Sequence, residues 1–386
     1  MEFTDGLVFA IVVGARLLVP LLIPRFPLPA ILAALVIDAA DQTVFQQLTD
    51  LDLDGYQSYD KALDIYYLTI AYISAMRNWA SPFAFSVARF LWYYRLVGVV
   101  LFEMTEERFL LLLFANTFEY FFIFYEGVRT SWDPARLGRK GVIVAAAGIW
   151  IFIKLPQEWW IHVAQLDFTD FMKEDVFGVT PETSWGDALT NRPWVTALLL
   201  AAIVGIAVLA YIGSKRLPPR DWAFTVDSDT VGRHLGWTAT PTPVPEPVFG
   251  WASFEKTALL TLVSAIFAQV LGSNASGLQL LLAVALVVLV NAGIANWRIA
   301  RGYQWRSTFV QFLVLSVANL VVIGGFAALV QIGDDTEFSL PRAMFFALLL
   351  SLIIVLFDRY RRIRSARLID RGQVDDADPR VGFASD

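Results

Sequence analysis

The chain contains no cysteine, which removes disulfides, thiolate metal sites and cysteine nucleophiles together. It has only two histidines, His162 and His234, too few for a three-histidine metal centre, so any metal would rest mostly on carboxylates. Charge is scarce too: Asp, Glu, Lys and Arg supply 17% of the residues, against about 25% in soluble domains. Lysine is scarce beside arginine, 6 against 24; in a chain rich in Ala and Val this hints at a bacterial, GC-rich genome. No Walker A, Gly-rich dinucleotide turn, G-x-S-x-G or H-E-x-x-H pattern occurs, so the chemistries that depend on those motifs lack their residues.

What is present is apolar. Hydrophobic residues make up 57% of the chain and the mean hydropathy is +0.56. They gather into runs long enough to cross a hydrocarbon core, which takes about 20 residues as a helix. A transmembrane barrel would alternate apolar and polar residues, whereas Leu278 to Val290 is apolar throughout except for Gln279, so helices are the spanning element. The fold class is therefore all-α, a polytopic integral membrane helical bundle.

Spans are predicted over 7–24, 26–41, 62–78, 82–104, 108–127, 141–158, 194–213, 256–272, 277–297, 307–332 and 341–358. Pro24, Pro27 and Pro29 interrupt the chain before the second, which is short enough to be a re-entrant half-helix. The count is about 11 transmembrane helices, or 10 if residues 26–41 are re-entrant. With the N-terminus outside and the C-terminus inside, 21 Lys and Arg fall on the cytoplasmic side and 5 on the outer side. That bias favours eleven crossings of a plasma (inner) membrane. Residues 1–175 form a charge-bearing half. Residues 176–358 form an apolar half with a Pro-rich cytoplasmic loop at 214–255, and 359–386 form a basic tail. That tail is expected to fix topology and touch anionic membrane lipid, with no role in nucleic-acid binding.

A charge at bilayer depth costs at least about 2.5–3.5 kcal/mol, so such residues face the bundle interior and find partners. Counting along the helices puts Arg16, Arg95 and Glu119 near the midplane, and the expectation is that Arg16 or Arg95 pairs with Glu119. Arg89 and Glu126, nearer the cytoplasmic face, are expected to snorkel. At the outer face Asp38 and Asp41 share one helical face and Asp60 and Asp64 another. Asp64, Tyr67, Ala71, Ser74 and Asn78 continue a polar or small stripe. If the sixth span continues past Pro156, Lys154, Glu158, His162 and Gln165 align on one face. Structural readings compete throughout: an ion pair that fixes packing, and a solvated acidic rim.

Asp50, Asp52, Asp54 and Gly55 spell the D-x-D-x-D-G opening of an EF-hand-like loop for Ca²⁺ or Mg²⁺, but Lys61 stands where its bidentate glutamate belongs. Trp79, Trp159, Trp160, Trp194, Trp251, Trp297 and Trp305 fall near span ends, as interfacial anchors do. Asn291, Asn296 and Asn319 are expected to hydrogen-bond between helices.

Three functions fit these residues. One is a transporter or permease for a small polar solute or ion, with its pathway through Arg16, Asp38, Asp41, Asp64, Arg95, Glu119, Glu158 and His162. Another is a membrane enzyme acting at the outer face on a lipid or lipid-linked substrate, with a carboxylate-bound divalent cation and Glu158 or His162 as base. The third is a non-catalytic scaffold. Charges that reach the midplane favour the first.

Overall fold

The computed structural model describes residues 3–49, 56–166, 168–237, 250–271, 276–302, 305, 307–330 and 339–370. Among these there is no strand, and ten helices are long and apolar enough to cross a membrane. The chain is a multi-pass membrane protein.

Helix α1 (Phe3–Leu18) tightens into a 3-10 turn over Val19–Leu22, and α2 runs unbroken from Pro27 to Leu48. Its prolines fall in the first helical turn, where the missing N–H has no intrahelical partner to lose. The second apolar segment is therefore 22 residues of continuous helix, about 33 Å at 1.5 Å per residue. Helix α3 (Tyr56–Asn78) is equally long at 23 residues but too polar to count among the ten. It is the most enclosed helix of the bundle. Ile65 to Met76 are all buried, with α1, α2, α4 (Pro82–Thr105), α13 (Trp251–Val270) and α16 (Leu340–Asp370) around them.

Every polar group on the α3 stripe below Asp64 finds an answer in a neighbour or in its own helix. The Tyr66 hydroxyl donates to Leu17 O at 2.8 Å, Thr69 to Ile65 O at 2.6 Å, Ser74 to Ile23 O at 3.3 Å and Asn78 to Pro24 O at 3.0 Å. The Tyr72 hydroxyl donates to Glu255 of α13. Polar groups placed this way are satisfied by protein where lipid could not satisfy them.

The fifth predicted span is not one helix. Helix α5 (Phe109–Leu113) ends, residues 114–116 turn, and α6 (Thr117–Arg129) begins again. Helix α7 (Gly138–Ile149) continues past Pro156 through a π turn at Trp150–Lys154, α8 (Leu155–Glu158) and a second π turn at Trp159–Val163. After the short α9 (Phe168–Phe171) and α10 (Trp185–Asn191), α11 (Pro193–Ser214) stands clear of the bundle with only Val195 buried. Lipid is as apolar as its Leu and Ile side chains, so a helix can stand there without loss.

The segment 215–237, which contains α12 (Ser228–His234), straps one end of the bundle. Thr225 N donates to Thr130 O at 2.9 Å, Ser228 N to Arg25 O at 2.8 Å and Trp222 Nε1 to Arg129 O at 3.2 Å. Asp229 pairs with Arg77, and Asp221 pairs with Arg136. The Asp133 N–H and Arg136 hold the Asp221 carboxyl below its usual range. In the second half, Asn291 of α14 (Gly277–Ala300) donates to Asn319 of α15 (Thr308–Val330) at 2.6 Å, and Asn319 to Ser351 of α16 at 2.8 Å. Those two asparagines do join helices.

The tryptophan reading divides. Trp159, Trp194, Trp251 and Trp297 are well exposed, as anchors should be, but Trp79 is buried and donates to Glu126 at 2.7 Å. Glu126 does not snorkel either. It is buried and paired with Arg129, because α6 turns that face inward.

Candidate functional site

Arg16 of α1 is 4% exposed and surrounded by four aspartates. Its Nη1 donates to Asp60 Oδ1 and its Nη2 to Asp64 Oδ1, both at 2.9 Å, and the same two nitrogens reach Asp41 and Asp38 of α2. Helical spacing explains the cage: Asp38 and Asp41 are three apart and Asp60 and Asp64 four apart, so each pair shares a face. The guanidinium fork offers enough donors for all four. Its charge does not suffice, since one cation faces four carboxyl groups. Asp38, Asp60 and Asp64 remain partly exposed, with side chains at 24–26%, so the cage opens at one edge.

A turn further along α3 the line of polar groups continues. The Tyr67 hydroxyl donates to Glu119 Oε1, and Asn116 Nδ2 donates to Glu119 Oε2 at 3.0 Å. The backbone N–H of Asn116 donates to Glu158 Oε1 at 3.2 Å. Glu158 in turn holds His162 Nε2 at 3.1 Å and stands 3.7 Å from Lys154 Nζ, which also lies over the Tyr120 ring. Arg95 of α4 donates to Phe114 O at 3.2 Å and to Leu111 O at 3.5 Å. The break between α5 and α6 thus has its freed carbonyl and N–H groups answered by charged side chains, and the start of α6 points its positive dipole end at two carboxylates.

The expected pairing of Arg16 or Arg95 with Glu119 is replaced by this arrangement. Depth along a helix fixes height, not direction around the axis, and Arg16 faces the aspartates of α2 and α3. Arg95 is drawn to the carbonyls that the broken helix leaves open. The site residues therefore fall into two groups. Arg16, Asp38, Asp41 and Asp64 come together, joined by Asp60; Arg95, Glu119, Glu158 and His162 gather around the helix break. Asp50, Asp52 and Asp54 lie outside the described residues. Among the described residues the group with oxygens close enough for one cation is Asp38, Asp60 and Asp64, within 4.8 Å of one another.

Asn116 was not anticipated, though its signal is in the sequence. Asn116 and Glu119 form an Asn-x-x-Glu helix-start pattern inside an apolar run, where a continuous span has no use for one. Gly98 is the matching feature on α4. A Cβ there would lie 2.0 Å from Phe114 Cβ, so only glycine lets the turn at 114–116 pack this closely. Gly98→Ala is expected to destabilise the protein by about 1–3 kcal/mol through overpacking, read as a lower unfolding midpoint. Gly148→Ala, with nothing within 4 Å of its Cβ, should stay at or above wild type.

No family model, curated protein or solved structure matches the chain.

Proposed function

We propose that the chain is a transporter or permease-like protein of the bacterial plasma membrane, passing a small polar solute or ion along the polar groups between the Arg16 cage and Glu158. The helix break at 114–116 carries this reading. A helix interrupted at bilayer depth is tolerated where it lines a polar site, and half-helix ends supply the partial charges that bind ions and polar solutes. Tyr67 and Glu119 are closed off beneath the cage at 3–4% exposure while the cage edge is partly open, the shape of a pathway accessible from one side. Four carboxyl groups around one guanidinium also leave room for protons or a bound cation.

The reading includes eleven crossings, with α3 as the eleventh, the N-terminus outside and the C-terminus inside. Arg77 at the end of α3 shares one end of the bundle with Arg25 and Arg367, whereas Lys61 at its start lies over Phe102 near the end of α4. Helix α3 therefore runs the height of the bundle against α4, and the protein around it shields the polarity that keeps it out of an apolar count.

The enzyme reading has one observation of its own. Asp38, Asp60 and Asp64 offer hard oxygen donors that fit Ca²⁺ or Mg²⁺ by type, and Arg16 already donates to all three. In that reading they would hold the cation, which would act as Lewis acid on a lipid or lipid-linked substrate.

Single cysteines in this cysteine-free chain test the transporter reading. Ser58→Cys and Asp60→Cys should react with an impermeant reagent added to intact cells, Ser365→Cys only after permeabilisation, and Glu119→Cys slowly from outside. A residue 119 that stays inert in folded protein, from either side, would mean that no water path reaches the break and would return the charges to a packing role.

A further inference from the structure

The carboxylate oxygens at the helix break are all committed to donors. Glu119 Oε1 accepts from the Tyr67 hydroxyl and Oε2 from Asn116 Nδ2, while Glu158 Oε1 accepts from the Asn116 backbone N–H and Oε2 from His162 Nε2. Asn116 therefore stands between the two acids and is bonded to each through an N–H. An amide does not give up that hydrogen, so the bridge ties Glu119 to Glu158 without passing a proton between them.

Two further oxygens at the same point are unanswered. Asn116 Oδ1 and Thr117 Oγ1 are buried with no hydrogen-bond partner among the described residues, on residues that are 6% and 1% exposed. Asn116 is the cap of α6 and Thr117 its first residue, so both sit beside the carboxylates. An unanswered buried oxygen is costly, and buried waters occur where two to four such groups meet. A metal ion asks for more, since hard cations take about six oxygens or more and the carboxylates here already have their donors.

We propose that the species carried is the proton, and that Asn116 Oδ1 and Thr117 Oγ1 hold one water that relays it between Glu158 and Glu119. This rests on the transport reading and names its substrate. The side chain of His162 is 12% exposed against 6% for Glu158, so the imidazole is the first to meet solvent. A proton taken up at Nδ1 releases the one on Nε2 to Glu158 Oε2, 3.1 Å away. Glu158 then gives a proton to the water and the water gives another to Glu119, leaving Glu158 a carboxylate again and Glu119 a carboxylic acid. The imidazole regains its tautomer by exchange with solvent.

The full chain is reconstituted in liposomes with an entrapped pH dye, a potential is imposed with potassium and valinomycin, and entry of protons and of tracer Na⁺ is compared with protein-free liposomes. Proton entry well above that level is expected, with Na⁺ entry at it. Thr117→Val keeps the shape of the side chain and removes its hydroxyl. It should lower proton flux by about tenfold or more, since a positioned proton carrier typically contributes more than that. Its unfolding midpoint should fall, because a bound water loses a partner, whereas exchanging an orphan hydroxyl for a methyl would raise it. Thr117→Ser should recover at least half of the flux. Thr261→Val, which removes a buried hydroxyl of α13, should leave the flux intact. Unchanged flux or a raised midpoint in Thr117→Val overturns the proposal. So does a wild type that carries Na⁺ and not protons, and the transport reading then stands. A wild type that carries neither also overturns it, and labelling of Glu119→Cys from outside then decides whether the transport reading falls with it.

Discussion

Arg16→Gln is expected to remove most folded protein from the membrane. Breaking a buried ion pair by deleting one partner costs about 3–5 kcal/mol, because the other charge is left uncompensated. Here four carboxyl groups share one guanidinium, so the loss falls at or above the upper end of that range. Against a total stability of about 5–15 kcal/mol, such a loss exhausts most of the margin. Arg16→Lys should recover little, because an ammonium is a point charge that cannot fork between α2 and α3. Combining Arg16→Gln with Asp38→Asn and Asp41→Asn should recover more. Acidic buffer should also help the single variant, because protonation neutralises the stranded carboxylates and the penalty returns as pH rises. Membrane yield and the unfolding midpoint after size exclusion report all of these. A glutamine variant with wild-type yield and midpoint would mean that the cage does not hold α1 to α2 and α3.

Much of this architecture can be read from the sequence, and what cannot has identifiable physical causes. Apolar run length gives the membrane class and the positions of the long helices, since length against bilayer thickness is a one-dimensional question. Helix α2 reads short because Asp38 and Asp41 look like its end, whereas both accept from Arg16 inside the bundle and the helix continues to Leu48. The aspartates can be sorted into face-sharing pairs from spacing alone. Which cation they surround cannot, because that depends on how the helices are rotated against each other. Trp79 misleads for a related reason. A tryptophan at a span end is an anchor when it faces lipid and a hydrogen-bond donor to Glu126 when it faces protein, and position in the sequence is the same for both. The break at 114–116 is the part most within reach, since a helix-start pattern in mid-span marks it.

The second large effect is expected at Glu119, on function more than on stability. Its two oxygens accept from the Tyr67 hydroxyl and from Asn116 Nδ2, so Glu119→Gln turns one acceptor into a donor facing a donor. That mismatch should cost about 1–3 kcal/mol, which leaves a folded protein with a lowered midpoint. The charge change reaches further. With all four ionised, Arg95, Lys154, Glu119 and Glu158 are two cations and two anions around the break, and the substitution then leaves one cation in excess. A cation or proton moving past Tyr67 would then lose the carboxylate that receives it and meet a positive site in a low-dielectric interior. An unfavourable change of about 1.4 kcal/mol is tenfold in occupancy, and the loss of a full counter-charge there exceeds that. Flux of protons and monovalent cations into proteoliposomes, followed with entrapped pH and potential dyes, should therefore fall at least tenfold in Glu119→Gln. Tyr67→Phe removes only the donor and keeps the charge, so it should lower the midpoint and leave most of the flux. If both variants reduce stability alike and neither changes flux, Glu119 is a packing residue, and the line of polar groups from Arg16 to Glu158 holds helices together without conducting anything between them.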